Sequence, residues 1–239
     1  MKRLLSLVLR IFWKSKFIQK YINPIRSVYF RFNGDMPKHQ YVSKGETVLH
    51  AGCWQIETIR GWSQSVGPKG KVVIIEADDY SHELLTKELE LRKTKLSNVI
   101  LVHNAVWNKK EKLVLEEADR PGSNKIKDAK TYYKTDIGNY INEIRVDANT
   151  ISNILSEQNI NHVDHFHLTI NGAELEALEG IDKKLFKKQT RIIVYCETLN
   201  EETNESVSSS VIDKLNSNKF KVFCSTNMPK YPDIIYGVK

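Results

Sequence analysis

Two stretches decide the fold: Thr47-Val48-Leu49-His50-Ala51-Gly52, and Lys71-Val72-Val73-Ile74-Ile75-Glu76. Each is a short apolar run, the second largely β-branched, the pattern of a strand buried in a parallel sheet. Between them Ile56, Ile59, Trp62 and Val66 recur at helical spacing, and Gly67-Pro68-Lys69-Gly70 breaks the chain before the second run. Strand, helix, turn and strand in that order make a βαβ unit, whose crossover is right-handed.

The rhythm continues outward. Residues 80–93 read as a charged helix carrying Leu84, Leu85, Leu89 and Leu91, and Val99–Val102 as a third strand. Lys112–Leu115 is a short strand, and residues 150–158 a helix capped by Asn149 or Thr150. Val163–Ile170 is a fourth main strand, Ala173–Phe186 a helix and Arg191–Cys196 a fifth strand. A helix near 205–217 leads into Phe220–Cys224 and Ile234–Tyr236, close enough to pair as an antiparallel hairpin at the sheet edge. The expectation is an α/β protein with a Rossmann-like, doubly wound, mostly parallel sheet, an antiparallel C-terminal hairpin and an N-terminal amphipathic helix. Residues 1–33 form a separate segment and 34–239 the domain. Polar residues 117–145, with Tyr132, Tyr133 and Tyr140, read as an insertion or lid.

Charge is unevenly placed. Residues 1–33 hold eight basic residues, among them Lys2, Arg3, Arg10, Lys14 and Lys20, and no acid; against a total of +7 the rest of the chain nets −1. A near-neutral domain argues against a nucleic-acid partner. Leu4, Val8, Ile11, Ile18 and Ile22 lie on one helical face of the basic arm. Arg10 and Lys14 interrupt it too early for a membrane span of about 20 apolar residues. Three readings stand: a helix lying in an anionic membrane interface, a segment packed on the domain or on a second subunit, and a disordered basic tail. The first is favoured, for a cytoplasmic protein peripherally held at the membrane; a homo-oligomer stays open. Cys53, Cys196 and Cys224 are too scattered for a disulfide framework, and no metal-ligand spacing occurs.

Ligands in open α/β sheets bind outside the carboxyl ends of the strands. The first strand ends at His50-Ala51-Gly52-Cys53, where glycine lets the backbone approach a ligand. The second ends at Glu76, 24 residues after Gly52 and near the spacing of a ribose-binding acid. No G-x-G-x-x-G is present, which counts against a dinucleotide. His103-Asn104-Ala105-Val106 is either an adenine-side turn or an ordinary strand-end loop. In the fourth strand Phe166, Leu168 and Ile170 share one face, and His165, His167 and Thr169 the other. Such a polar row is satisfied core hydrogen bonding, an edge position, or a reach into the ligand crevice, and the last is favoured.

Taken in order, residues 44–198 resemble the FkbM-type S-adenosylmethionine-dependent methyltransferases. The matching pieces are Val48-Leu49-His50-Ala51-Gly52-Cys53, Val66-Gly67-Pro68-Lys69-Gly70 followed by Ile75-Glu76-Ala77, Asn104-Ala105-Val106-Trp107, and Ile170-Asn171-Gly172-Ala173-Glu174. The resemblance implies S-adenosyl-L-methionine as cofactor, held by His50, Gly52, Cys53, Glu76, Ala77, Asn104 and Ala105. It implies a sugar or other small hydroxylated acceptor, and the arm suggests one that is lipid-linked. His167 is the expected general base and Glu174 the second candidate. The chain departs from the family pattern in having His50 and Thr169 for Asp, Trp54 for Asn, Ile56 for Gly, Asn171 for Glu and His167 for Lys. Those departures raise the alternative of a degenerate member acting as a membrane-associated binding or accessory module.

Overall fold

The computed structural model describes residues 42–119, 122–134, 139–224 and 233–239. The expectations for residues 1–33 lie outside them. Five parallel strands form the centre: β1 (Thr47–Ala51), β2 (Lys71–Glu76), β3 (Val99–His103), the fourth main strand, His165–Leu168, and the fifth, Arg191–Cys196. Between β3 and the fourth, β4 (Ala105–Val106), β5 (Glu111–Ala118), β6 (Lys125–Ile126), β7 (Thr131–Tyr133) and β8 (Tyr140–Asn149) intervene, so His165–Leu168 is β9. It is followed by β10 (Arg191–Cys196), β11 (Thr198–Asn200), β12 (Lys221–Cys224) and β13 (Asp233–Val238). The main sheet runs β12-β13-β10-β9-β1-β2-β3. The expected C-terminal pair is antiparallel, but β13 enters between β10 and β12, leaving β12 alone at the edge. This is the class I methyltransferase arrangement, a mostly parallel sheet with one antiparallel strand inside its far end.

Helices cover both faces. Val48, Val72 and Ile74 pack with Ile59 and Val66 of α1 (Ile56–Val66) and Leu85 of α2 (Asp79–Leu91). On the opposite face Leu49, Val73, Phe166, Leu168 and Val194 meet α3 (Ile151–Glu157), α4 (Glu174–Glu179) and α5 (Val207–Ser217) through Ile154, Leu155, Ala177, Leu178, Val211 and Leu215. Each fully buried Leu, Ile or Phe contributes about 1.5–3 kcal/mol of hydrophobic stabilisation. Thr150 caps α3 by accepting from the Asn153 N–H. α4 stops at Glu179, well short of the Phe186 expected, because Gly180 and a short 3-10 turn over Lys183–Leu185 take over.

The 117–145 stretch contributes strands. β5 and β8 pair antiparallel along most of their length, with β4 beside β8 and β6 beside β5, in a second sheet of order β4-β8-β5-β6. Trp107, Leu113, Leu115, Ile126, Val146 and Ala173 form its core. β7 pairs with β11, which ties the stretch to the end of β10.

Candidate active site

The carboxyl ends of β1, β2, β9 and β10 and the edge of the second sheet enclose a cavity of about 490 Å³, within the ~300–1,000 Å³ range of small-molecule sites. Gly52 makes the first wall. Its φ is +78°, and a Cβ there would sit 2.1 Å from the Thr169 carbonyl oxygen, so only glycine fits. Eight of the nine expected site residues line the cavity: His50, Gly52, Cys53, Glu76, Ala77, Asn104, Ala105 and His167.

Glu174 is the exception. It is fully buried, and both its oxygens accept from the Gly172 N–H, at 3.0 and 2.9 Å. Burial pushes its carboxyl up to about 7. It shapes the turn into α4 rather than facing a substrate, and Gly172 (φ +108°) is fixed there because a Cβ would strike the Thr131 hydroxyl.

The polar row of β9 is central, flanked by β1 and β10. Its members differ in environment. Trp62 Nε1 donates to His50 Nδ1 at 3.1 Å, and His50 Nε2 lies 3.1 Å from Thr169 Oγ1. Indole is a donor only, so Nδ1 accepts and the His50 proton sits on Nε2. The Thr169 hydroxyl in turn donates toward the carbonyls of Gly52 (2.9 Å) and Ala51 (3.2 Å). The His167 ring packs 4.2 Å from His50 and 5.3 Å from Tyr195. Burial pushes His167 down to about 4, and burial with the neighbouring histidines holds His50 well below the usual range. Both are therefore neutral near pH 7. His167 thus keeps an unprotonated nitrogen, but burial makes it a weaker base than a free imidazole. His165, behind them against Trp62, is fully buried, and neither ring nitrogen has a hydrogen-bond partner among the described residues.

At the β2 and β3 ends, Glu76 is buried with Oε1 accepting from the Asp78 N–H at 3.0 Å. Burial raises its carboxyl to about 7. Asn104 Oδ1 is buried without a partner among the described residues. Burial holds the Cys53 thiol up at about 12, so it lines the site as a neutral group.

A strap crosses the cavity. Asn171, at φ +56°, donates from Nδ2 to the carbonyls of Gly122 (3.0 Å) and Asn124 (2.8 Å). The Trp54 indole lies against Gly122, where a Cβ would come within 2.6 Å of Nε1. Asn124 Oδ1 accepts from the Ala118 N–H. Lys125, also lining the cavity, is buried, donates to the Thr131 carbonyl and pairs with Glu116.

Sequence reading missed Tyr195 and Glu197, which line the cavity from the end of β10. The available signal was a charged residue directly after the apolar run Arg191–Cys196, where a ligand-facing side chain belongs.

The profile of the methyltransferase FkbM domain matches residues 55–222. The chain belongs to the FkbM methyltransferase family. A search of curated proteins finds no significant match. Among solved structures, the chain is similar to methyltransferase FkbM from Methylobacillus flagellatus KT (TM-score 0.57, 16% identity), covering 87% of this chain and 46% of that one. The chain thus spans about half the length of that protein. Lower similarity extends to precorrin-6y C5,15-methyltransferase from Geobacter metallireducens GS-15 (TM-score 0.48, 12% identity, 84% and 85% covered). It also extends to Aeropyrum pernix fibrillarin in complex with S-adenosyl-L-methionine (TM-score 0.46, 11% identity, 83% and 68% covered).

Five of the six departures from the FkbM pattern fall into two contact groups, and the sixth, Ile56, packs against the apolar core under α1. His50, Thr169 and His167 form the neutral histidine row, and Trp54 and Asn171 hold the strap. The residues present fit the cofactor: Glu76 has a carboxylate oxygen beyond the one bound by Asp78 for a ribose hydroxyl, and Asn104 Oδ1 lacks a donor that an adenine amine would provide.

Proposed function

We propose that this chain binds S-adenosyl-L-methionine in the cavity and methylates a hydroxyl of a sugar or other small hydroxylated acceptor, and that residues 1–33 hold it at an anionic membrane surface, where the acceptor is lipid-linked. The observation that carries the reading is a single cavity at the strand ends with two chemically distinct ends. Gly52, Cys53, Glu76, Ala77, Asn104 and Ala105 would hold the nucleoside. His167, Tyr195 and Glu197 face the remaining space. The cofactor, when bound, supplies an electrophilic methyl group on a sulfonium. The protein orients the acceptor in line with it and excludes water. The hydrogen bonds that join His50 to Thr169 and Asn171 to the strap carbonyls favour a retained site over a decayed one, since these departed residues are satisfied rather than orphaned.

Calorimetry with S-adenosylhomocysteine tests this. Binding should weaken by about tenfold or more in Glu76→Ala, equivalent to ~1.4 kcal/mol. No binding at millimolar ligand by the intact chain would favour the accessory-module alternative.

A further inference from the structure

At the β9 and β10 end of the cavity the polar side chains are unequally committed. The Thr169 hydroxyl is engaged with His50 and the Gly52 carbonyl, and the Asn171 amide with the strap. Glu197 is different. It directly follows β10, and Ile193 of that strand is level with His167, which is level with His50. Alternation then carries Ile193, Tyr195 and Glu197 on the face of the histidine row. The Glu197 backbone is clamped from both sides. Its carbonyl accepts from the Lys134 N–H at 3.0 Å, and β11, starting at the next residue, pairs with β7. A rigid backbone therefore presents the carboxylate to the cavity. The other carboxylates lining the cavity among the described residues, Glu76 and Asp78, belong to the nucleoside end, and Asp78 caps α2 through the Ser81 N–H.

We propose that Glu197 is the catalytic residue that accepts the proton of the methylated hydroxyl, and that its carboxylate disfavours acceptors bearing an acid beside that hydroxyl. This rests on the methyl-transfer reading above. In the step, the acceptor oxygen forms a bond to the methyl carbon and gives its proton to a Glu197 oxygen. The electron pair of the broken sulfur–carbon bond stays on sulfur, leaving a methyl ether, a thioether and a protonated carboxyl. Burial raises the Glu197 carboxyl above the usual range, and Lys134 partly offsets this. Tyr133, Tyr195 and Glu174 are the other titratable groups that feel its charge. Burial makes His167 a weaker proton acceptor, and its Nδ1, buried without a partner among the described residues, would hydrogen-bond the acceptor in its neutral form.

The test uses the full chain, methyl-labelled S-adenosylmethionine, and three probes: a neutral methyl hexoside, its uronic acid and its 6-phosphate. The neutral probe should be methylated, with kcat/KM about tenfold or more above either acid, a difference of ~1.4 kcal/mol. Glu197→Gln should lower kcat by about 10²–10⁴-fold, remove the acid limb of the pH profile and leave S-adenosylhomocysteine affinity unchanged. Glu197→Asp, which keeps the carboxylate, should recover part of the rate. Near-normal turnover in Glu197→Gln, preference for an acidic probe, or no transfer to any probe by a chain that binds S-adenosylhomocysteine would overturn the assignment. Failure to bind S-adenosylhomocysteine at all would instead overturn the methyl-transfer reading, and the assignment with it.

Discussion

His50 of β1 and Thr169, the residue after β9, are joined by a 3.1 Å contact between Nε2 and Oγ1. Both replace acids of the FkbM pattern, and together they make a neutral pair where two carboxylates would repel. Trp62 fixes the direction of the chain from one end and the Gly52 carbonyl receives it at the other. Truncating either member leaves a buried polar group short of a partner, a cost of about 1–3 kcal/mol. A double-mutant cycle of His50→Ala and Thr169→Val, read by urea unfolding, should therefore give a coupling energy of about 0.5–3 kcal/mol. Simple additivity would mean that the two positions diverged independently.

The buried row also sets how stability responds to pH. His165 is held well below its usual range, first by burial and then by His167 and Arg191. Its folded pKa lies below the unfolded value of about 6.5, so its contribution is present above that pH and lost as pH falls. His165→Leu should gain on the intact chain as pH drops from about 6.5 to 5, by up to ~1.4 kcal/mol per unit. Glu174 has the opposite sign. Its carboxyl is raised from 4.5 to about 7, so its contribution is lost as pH rises through that interval. Glu174→Gln should gain most above pH 7. Thermal unfolding across pH 5–8 reads both, and pH-independent differences would exclude titration as the cause.

Asn171 predicts a kinetic effect. Two amide hydrogens reach two strap carbonyls, a task that the glutamate of the family pattern cannot perform because a carboxylate has no donor. Asn171→Asp turns attraction into repulsion at both carbonyls. Release of S-adenosylhomocysteine, followed by tryptophan fluorescence, should speed up by about tenfold, the equivalent of ~1.4 kcal/mol. An unchanged release rate would show that the strap does not gate the cavity.

These contacts also explain what could be read from the chain beforehand. Val48–Ala51 and Val72–Ile75 announce buried parallel strands because both faces must be apolar, and glycine at position 52 announces a close approach. The second sheet was hidden: β8 is largely exposed along Tyr140–Arg145, so it has no apolar pattern to betray it. The insertion of β13 beside β10 is a long-range pairing that no local pattern encodes. The bases of the Asn171 and Glu197 roles are equally non-local. One depends on where residues 122–124 return, and the other on which strands flank β10. The histidine row was visible as an anomaly, but only the neighbours Trp62 and Tyr195 show that burial suppresses its charge.

The proposed membrane docking of residues 1–33 makes a prediction that the domain cannot mimic. Among the described residues no helix is long and apolar enough to cross a bilayer. In the arm itself Arg10 and Lys14 interrupt the apolar stretch too early for a span of about 20 residues, so the attachment proposed is interfacial, and the rest of the chain, at net −1, adds no electrostatic attraction. Each lysine or arginine near an anionic surface contributes about 1 kcal/mol, so the eight in the arm suffice if its apolar face also inserts. The full chain should float with phosphatidylserine-containing liposomes and a chain lacking residues 1–33 should not. Binding to purely zwitterionic liposomes should be far weaker. High salt should weaken binding without abolishing it, because screening removes the charge term and leaves the apolar one. Equal flotation of the two chains would place the membrane contact elsewhere, and complete release by salt would leave a purely electrostatic tail.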